Sequence, residues 1–292
     1  MPSPASVLVA GSGVMGAGIA AAFLRSGAKV AVLSRTPERV AEKVPGASGV
    51  ARLPDDAPDL IVESIPEKLD LKKQLYAEIE GCYGGRPIVA TNTSGLPLDD
   101  LAAGLAHKKR FLGLHYFMPA DVIPLVEVIR TKETEDAAVD MVMAGVRACG
   151  QTPLLLNRPI EGFLINRLQH AILHEAYYLI EQGICGPEEV DQAAREMFGP
   201  RMCVTGLIEQ KDLSGLDTHA LVQRAIVPYL NPSREPSRIV QDKYAKGEIG
   251  VKSGKGFYDW SKRDPNKRQT EARNHLAEIL ALLDRQKRGK SA

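Results

Sequence analysis

The chain has almost no excess charge, few cysteines and no long uninterrupted apolar run. Its 37 basic and 36 acidic side chains leave a formal charge of +1, which offers no electrostatic footprint for duplex DNA or an anionic bilayer, so no nucleic-acid or membrane partner is expected. Cys82, Cys149, Cys185 and Cys203 are scattered and form no C-x-x-C pair. A zinc site or a disulfide-exchange centre is therefore not expected, and a reducing, cytoplasmic setting is the simplest one. The most apolar stretch, Val7 to Leu24, is broken by glycines, and nothing approaches the about 20 apolar residues of a membrane span. Nor does the N-terminus show the cationic, apolar and small-residue succession of a signal peptide, because Val7 opens a strand-like run almost at once. What the chain does have is 292 residues, 44% of them hydrophobic. That is enough for two ordinary domains that bury roughly 75% of their unfolded surface, with small and specific partners.

Along the first half, short β-branched runs alternate with segments of helical spacing. Val7–Ala10, Val30–Leu33, Leu60–Val62, Ile88–Ala90 and Phe111–Leu114 are predicted strands. Ile123–Ile129 and Thr152–Leu156 extend the series around a helix over Glu135–Cys149. Such alternation predicts an α/β fold with a doubly wound, mostly parallel sheet of the Rossmann type. After Pro159 the pattern turns helical: Phe163–Gln182, Pro187–Phe198, Leu216–Leu230 and Glu271–Arg285, with Pro187 and two glutamates suited to a helix start. The expected division is a sheet domain over 1–159 and an all-helical domain over 160–292. Ser261–Arg268 is expected to be a linker and Gln286–Ala292 a frayed basic tail.

Directly after the first strand comes G-S-G-V-M-G, Gly11 to Gly16, opening a helix that runs to about Ser26. The first glycine suits a tight turn, the second lets a pyrophosphate approach the backbone, and the third lets helix pack on sheet. Gly11, Ser12, Gly13, Val14, Met15 and Gly16 are thus the expected dinucleotide cradle. At the end of the second strand, where NAD-binding chains place an acid for the ribose 2′-hydroxyl, the order is Ser34, Arg35, Thr36. Arg35 and nearby Arg39 suit a 2′-phosphate, and Ser34 and Thr36 add hydroxyls, so NADP(H) is expected. The alternative is NAD held without its usual acid, with Arg35 a surface residue.

His115 lies at the carboxyl end of a predicted strand, where ligands bind in open α/β sheets, and Glu127 lies on the next. A histidine oriented by a carboxylate is a sound general base near neutral pH; a merely structural pair is the alternative. His170 and His174 lie one helical turn apart, but no third metal ligand is indicated, and no metal is expected.

Together, G-S-G-V-M-G, A-T-N-T-S-G-L at Ala90–Leu96, the His115–Glu127 segment, E-G-F-L-I-N-R-L at Glu161–Leu168 and G-K-G-F-Y at Gly254–Tyr258 resemble the 3-hydroxyacyl-CoA dehydrogenase superfamily. The resemblance covers nearly the whole chain. It implies a Rossmann domain, a helical domain that forms a homodimer, His115 as catalytic base with Glu127 as its partner, Ser94 as a donor to the reacting oxygen, and Asn166 as a polar group facing substrate. Asn92 is expected to hold its loop or the nicotinamide ribose. Glu67 and Lys72 both match family positions; Glu67 is expected at the cofactor, whereas for Lys72 an exposed helix charge is the expected account.

Two departures matter. The family's H-x-x-N-P is H-Y-F-M-P here, so Met118 replaces an amide; a thioether beside the substrate and a packed core residue are both open. Only residues 36–58 separate Arg35 from Asp59, too few for the lysine-rich helical hairpin that helps acyl-CoA dehydrogenases of this family hold CoA. The shortness resembles the branch of L-gulonate 3-dehydrogenase, L-carnitine dehydrogenase and lambda-crystallin, which implies a small free acid as substrate. Arg201 is then a candidate clamp for its carboxylate, or simply a helix-end surface residue. The expected function is NADP-dependent oxidation of a carboxylate-bearing alcohol. The alternatives are an NAD-dependent 3-hydroxyacyl-CoA dehydrogenase and a non-catalytic structural protein of the lambda-crystallin kind.

Overall fold

The computed structural model describes residues 2–289 and divides into two compact units, Met1–Arg167 and Leu168–Ala292. The first is built on one sheet of eight strands in the order β3-β2-β1-β4-β5-β6-β7-β8. These are β1 (Ser6–Ala10), β2 (Lys29–Leu33), β3 (Ser48–Val50), β4 (Leu60–Glu63), β5 (Ile88–Thr91), β6 (Phe111–Tyr116), β7 (Leu125–Arg130) and β8 (Thr152–Leu156). All neighbours run parallel except β6 and β7.

The central strands are rich in Val, Ile and Leu because both faces are covered, the condition parallel sheets require. Their alternation sorts two cores. Val7, Val9, Val30 and Val32 face α1 (Val14–Arg25), which contributes Ile19 and Phe23. Leu8, Ile61 and Val89 face the opposite side, where α3 (Leu69–Tyr83) supplies Leu75, Tyr76 and Ile79. Each such side chain, fully buried, contributes about 1.5–3 kcal/mol. The short α2 (Val40–Lys43) and α4 (Leu98–Ala102) fill connections, and α5 (Asp136–Ala148) covers the first core with Val139, Val142 and Val146.

Strand β3 escapes the sequence pattern because it is three residues long and contains glycine. Gly49 is there because a Cβ would fall 1.9 Å from the carbonyl oxygen of Pro37.

Helix α6 (Ile165–Glu181) begins within the first unit, which runs on to Arg167 because the backbone at Leu164 and Ile165 is tied to β7. The second unit is helical: α7 (Pro187–Ala193), α8 (Gly199–Thr205), α9 (Glu209–Ser214), α10 (Leu216–Ile226), α11 (Arg238–Ala245) and α12 (Pro265–Gly289). Two expectations change here. Ser261–Arg268 is not a linker throughout, since α12 starts at Pro265, where proline suits the first turn. Gln286–Gly289 continue that helix, and Lys290–Ala292 lie outside the described residues. Among the described residues, no helix is long and apolar enough to cross a membrane.

Candidate active site

Strand order reverses at β1, which lies between β2 and β4, and ligands of such sheets bind beyond the strand ends at that point. A cavity of about 1110 Å³ opens there, lined by residues of the first unit from Gly11 to Asn166.

Its floor is the glycine turn. Gly11 sits at φ +119°, and a Cβ on it would come 2.4 Å from the Ser64 carbonyl oxygen. Gly16 seats α1 on the turn, since its Cβ would meet the Gly11 carbonyl oxygen at 2.0 Å. Gly13 instead has open space where its Cβ would stand, so a ligand can reach the backbone at the start of α1, whose first turn carries no acid. A helix N-terminus of this kind favours an anion, and the residues fit a dinucleotide pyrophosphate. Ser12, Val14 and Met15 complete this wall.

Beyond β2, the buried Ser34 hydroxyl shares a 2.8 Å hydrogen bond with that of Ser12 and accepts the Thr36 N–H at 3.1 Å. Arg35 is exposed and lines the cavity. Arg39 does not line it: helical spacing sets its guanidinium 3.8 Å from the Glu42 carboxylate. Thr36 lies against Ser34, with 3.4 Å between hydroxyl oxygens.

The antiparallel register sets His115 directly opposite Glu127, so both side chains project on one face. The imidazole Nδ1 stands 2.7 Å from Glu127 Oε2, and both groups are buried. With Nδ1–H donating to the carboxylate, Nε2 is the ring nitrogen left for chemistry. The other carboxylate oxygen accepts the N–H groups of Leu164 and Ile165 at 3.0 and 2.9 Å. Gly162 at φ +76° and Phe163 at φ +50° turn the chain to aim those groups. The Phe163 ring, buried, lies 5.4 Å from the imidazole, and Phe117 meets it edge-on at 4.5 Å. Met118 lines the cavity and is 67% exposed, which removes its reading as packed core.

Behind the site lies a polar cluster that sequence reasoning missed. Glu63 is fully buried and accepts bonds from Lys72 Nζ at 2.6 Å, the Tyr76 hydroxyl at 2.6 Å and the Thr91 hydroxyl at 2.8 Å. Lys72 is therefore not an exposed helix charge: it is 1% exposed and also pairs with Glu67 at 3.2 Å. The available signal was E-S-I-P-E-K-L-D-L-K, which returns a lysine toward both acids. Burial beside Glu63 pushes the Tyr76 phenol well up.

Glu67 grips the loop after β5, accepting the Thr93 hydroxyl and the N–H groups of Ser94 and Gly95. Burial raises its pKa, but the Thr93 bond and the Lys72 charge outweigh it and hold the carboxyl below its ordinary range. Asn92 accepts the Tyr116 N–H at 2.9 Å and donates to Ser64 at 3.3 Å, tying three strand ends together. Ser94 is exposed and lines the cavity, and its carbonyl accepts from Asn166 at 3.5 Å.

Arg201 belongs to the second unit. It sits exposed on α8 and lines a hollow of that unit with Val204, Gln210 and Leu213. His174, also there, bonds the Ser233 carbonyl and Asn231. Among the described residues, no three His, Cys, Asp or Glu side chains are grouped to hold a metal.

The 3-hydroxyacyl-CoA dehydrogenase NAD binding domain matches residues 6–53 and 37–158, and the C-terminal domain of the same family matches residues 162–260. The chain is 30% identical to 5-formyl-3-hydroxy-2-methylpyridine 4-carboxylate 5-dehydrogenase of Mesorhizobium japonicum, over 96% of this chain and 98% of that one. A crystal structure of a 5-dehydrogenase of that pyridine carboxylate, described as an NAD+ dependent dismutase, superposes with a TM-score of 0.87 at 28% identity, covering 97% of this chain and 99% of that one. A lambda-crystallin homolog of Bos taurus is 31% identical over 73% of this chain and 75% of its own. A probable 3-hydroxybutyryl-CoA dehydrogenase of Bacillus subtilis is 30% identical over 88% of this chain and 98% of its own.

Proposed function

The chain belongs to the 3-hydroxyacyl-CoA dehydrogenase family and is an NAD(P)-dependent oxidoreductase acting on CH–OH groups; on that footing we propose that it works with NADP(H) on a small carboxylate-bearing alcohol rather than a CoA thioester. The observation that carries this reading is the pairing of His115 with Glu127 at a cavity wall where Phe117 and the exposed Met118 present an apolar face. The short 36–58 segment, which has no room for a CoA-holding hairpin, points the same way. So does the likeness to a dehydrogenase named for a pyridine carboxylate.

The Gly11–Gly16 turn would hold the coenzyme pyrophosphate, and Ser34 and Arg35 would bind the adenosine 2′-phosphate. When bound, the nicotinamide supplies the hydride acceptor or donor. His115 Nε2 takes the proton of the substrate hydroxyl, and Glu127 stabilises the resulting imidazolium. In the opposite direction the protonated ring returns that proton to a carbonyl oxygen. The Ser94 hydroxyl donates to the oxygen as its charge grows, and Asn166 offers a further polar contact. Glu67 acts by keeping the Ser94 loop in place. The exposed apolar side chains of the second unit, among them Val204, Ile208, Leu213, Leu221 and Tyr229, support a homodimer formed through it, which light scattering checks. Four free cysteines support a reducing, cytoplasmic setting.

Turnover of hydroxy acids, sugar acids, betaine-like alcohols and pyridine carbinols with NADP+ and NAD+, beside acetoacetyl-CoA with the reduced coenzymes, tests the proposal. Oxidation of a carbinol with NADP+ is expected. Preferential reduction of acetoacetyl-CoA with NADH overturns it in favour of a 3-hydroxyacyl-CoA dehydrogenase, and coenzyme binding without any turnover favours a structural role.

A further inference from the structure

One cation of the coenzyme cavity has no role in the account above. Strands β2 and β3 are parallel neighbours whose last paired residues are Leu33 and Val50, and the Ser34 N–H bonds the Val50 carbonyl at 3.0 Å. The chain therefore leaves both strands in step, and Arg35 and Arg52 each follow two residues past that last pair. Both are exposed and both line the cavity. Among the described residues, neither makes an ion pair or a side-chain hydrogen bond. Arg39 close by, in contrast, pairs with Glu42. Between them and the glycine turn lies Ser34, 7% exposed, with its hydroxyl on Ser12. Lys43 reaches the Ser12 carbonyl at 3.4 Å and adds positive charge to the same rim.

We infer that Arg52 is the second arm of a clamp, with Arg35 opposite and the Ser34 hydroxyl at its base, that binds the 2′-phosphate of NADP(H). The inference rests on the NADP(H) reading of the preceding section and adds a residue to it. Two guanidiniums at the ends of adjacent strands suit a phosphate dianion better than one, since each supplies fork-shaped, charge-assisted donors. No acid stands at Ser34 to repel that charge.

Calorimetric titration with 2′,5′-ADP and 5′-AMP isolates the clamp from turnover. The unaltered protein is expected to bind 2′,5′-ADP more tightly. Arg52→Ala should weaken 2′,5′-ADP binding by about tenfold or more, the scale of one lost charge-assisted contact, leave 5′-AMP unchanged, and match Arg35→Ala. Arg52→Lys should restore part of the loss. Both sites are exposed, and an unchanged melting temperature confirms the fold. If Arg35→Ala weakens 2′,5′-ADP binding and Arg52→Ala does not, the role of Arg52 is overturned while the NADP(H) reading stands. If the unaltered protein binds 5′-AMP as tightly as 2′,5′-ADP, the NADP(H) reading itself fails and the clamp with it.

Discussion

Glu127→Gln separates steering from shape. Glutamine keeps the volume of glutamate but has one acceptor oxygen where the carboxylate has two. In the native protein, one carboxylate oxygen takes Nδ1–H of His115 and the other takes the N–H groups of Leu164 and Ile165. The amide oxygen must stay with the two backbone donors, because an NH2 group there would face donors alone. The NH2 then meets His115 Nδ1, which has to become an acceptor. The ring proton moves to Nε2, the nitrogen assigned to the substrate hydroxyl. In Ser-His-Asp hydrolases the equivalent amide swap traps the wrong tautomer and lowers kcat about 10⁴-fold, which corresponds to about 5.5 kcal/mol of barrier. A loss of that order is expected here, read as nicotinamide absorbance at saturating substrate. Replacing charge-assisted bonds by neutral ones should cost only about 1–3 kcal/mol of stability, so the variant stays folded. Glu127→Ala is less informative, because three donors lose their acceptor at about 1–3 kcal/mol each and unfolding then confounds activity. A folded Glu127→Gln protein with kcat within tenfold of the parent would refute the reasoning.

Lys72→Met strands the buried Glu63 without its cation and should destabilise the fold by about 3–5 kcal/mol; a denaturation midpoint equal to the parent's would show that the pair is not needed. Because Glu67 is held below its ordinary 4.5, its contribution is present above that value and fades as pH falls through the lowered one. The Glu67→Gln protein should therefore melt lower than the parent at neutral pH, with the gap closing in acid; an equal gap at both would discount the charge. Gly16→Ala puts a methyl 2.0 Å from the Gly11 carbonyl oxygen, so dinucleotide binding by titration should be lost.

The parallel strands were legible because residues buried on both faces leave continuous Val-Ile-Leu runs, and the glycine turn because three spacings and a flanking strand coincide. His115 and Glu127 were legible as residue types, but their face-to-face placement depends on the antiparallel β6–β7 register, which no local pattern states. The Lys72 cluster was hidden, since a lysine on an amphipathic helix looks solvated until the acids opposite it are known to be buried. Arg52 follows a strand of three residues with a central glycine, below the length at which alternation can be seen. Arg39 ends beside Glu42, because nearness in sequence to β2 says nothing about the turn that points it there. Helices α8 and α9 are short, and glycines at positions 206 and 215 cut the periodicity that would have marked them off.

Glu127 has two clients, the imidazole and the chain that opens α6, so architecture alone is reason to retain it. Ser94 is different: its side chain is exposed, and the loop that carries it is held by its backbone. A descendant of this gene relieved of turnover, and kept for bulk or solubility, would let the serine drift while the glutamate persisted. On the role proposed for Ser94, the hydroxyl at position 94 is thus the sharper marker of a working copy.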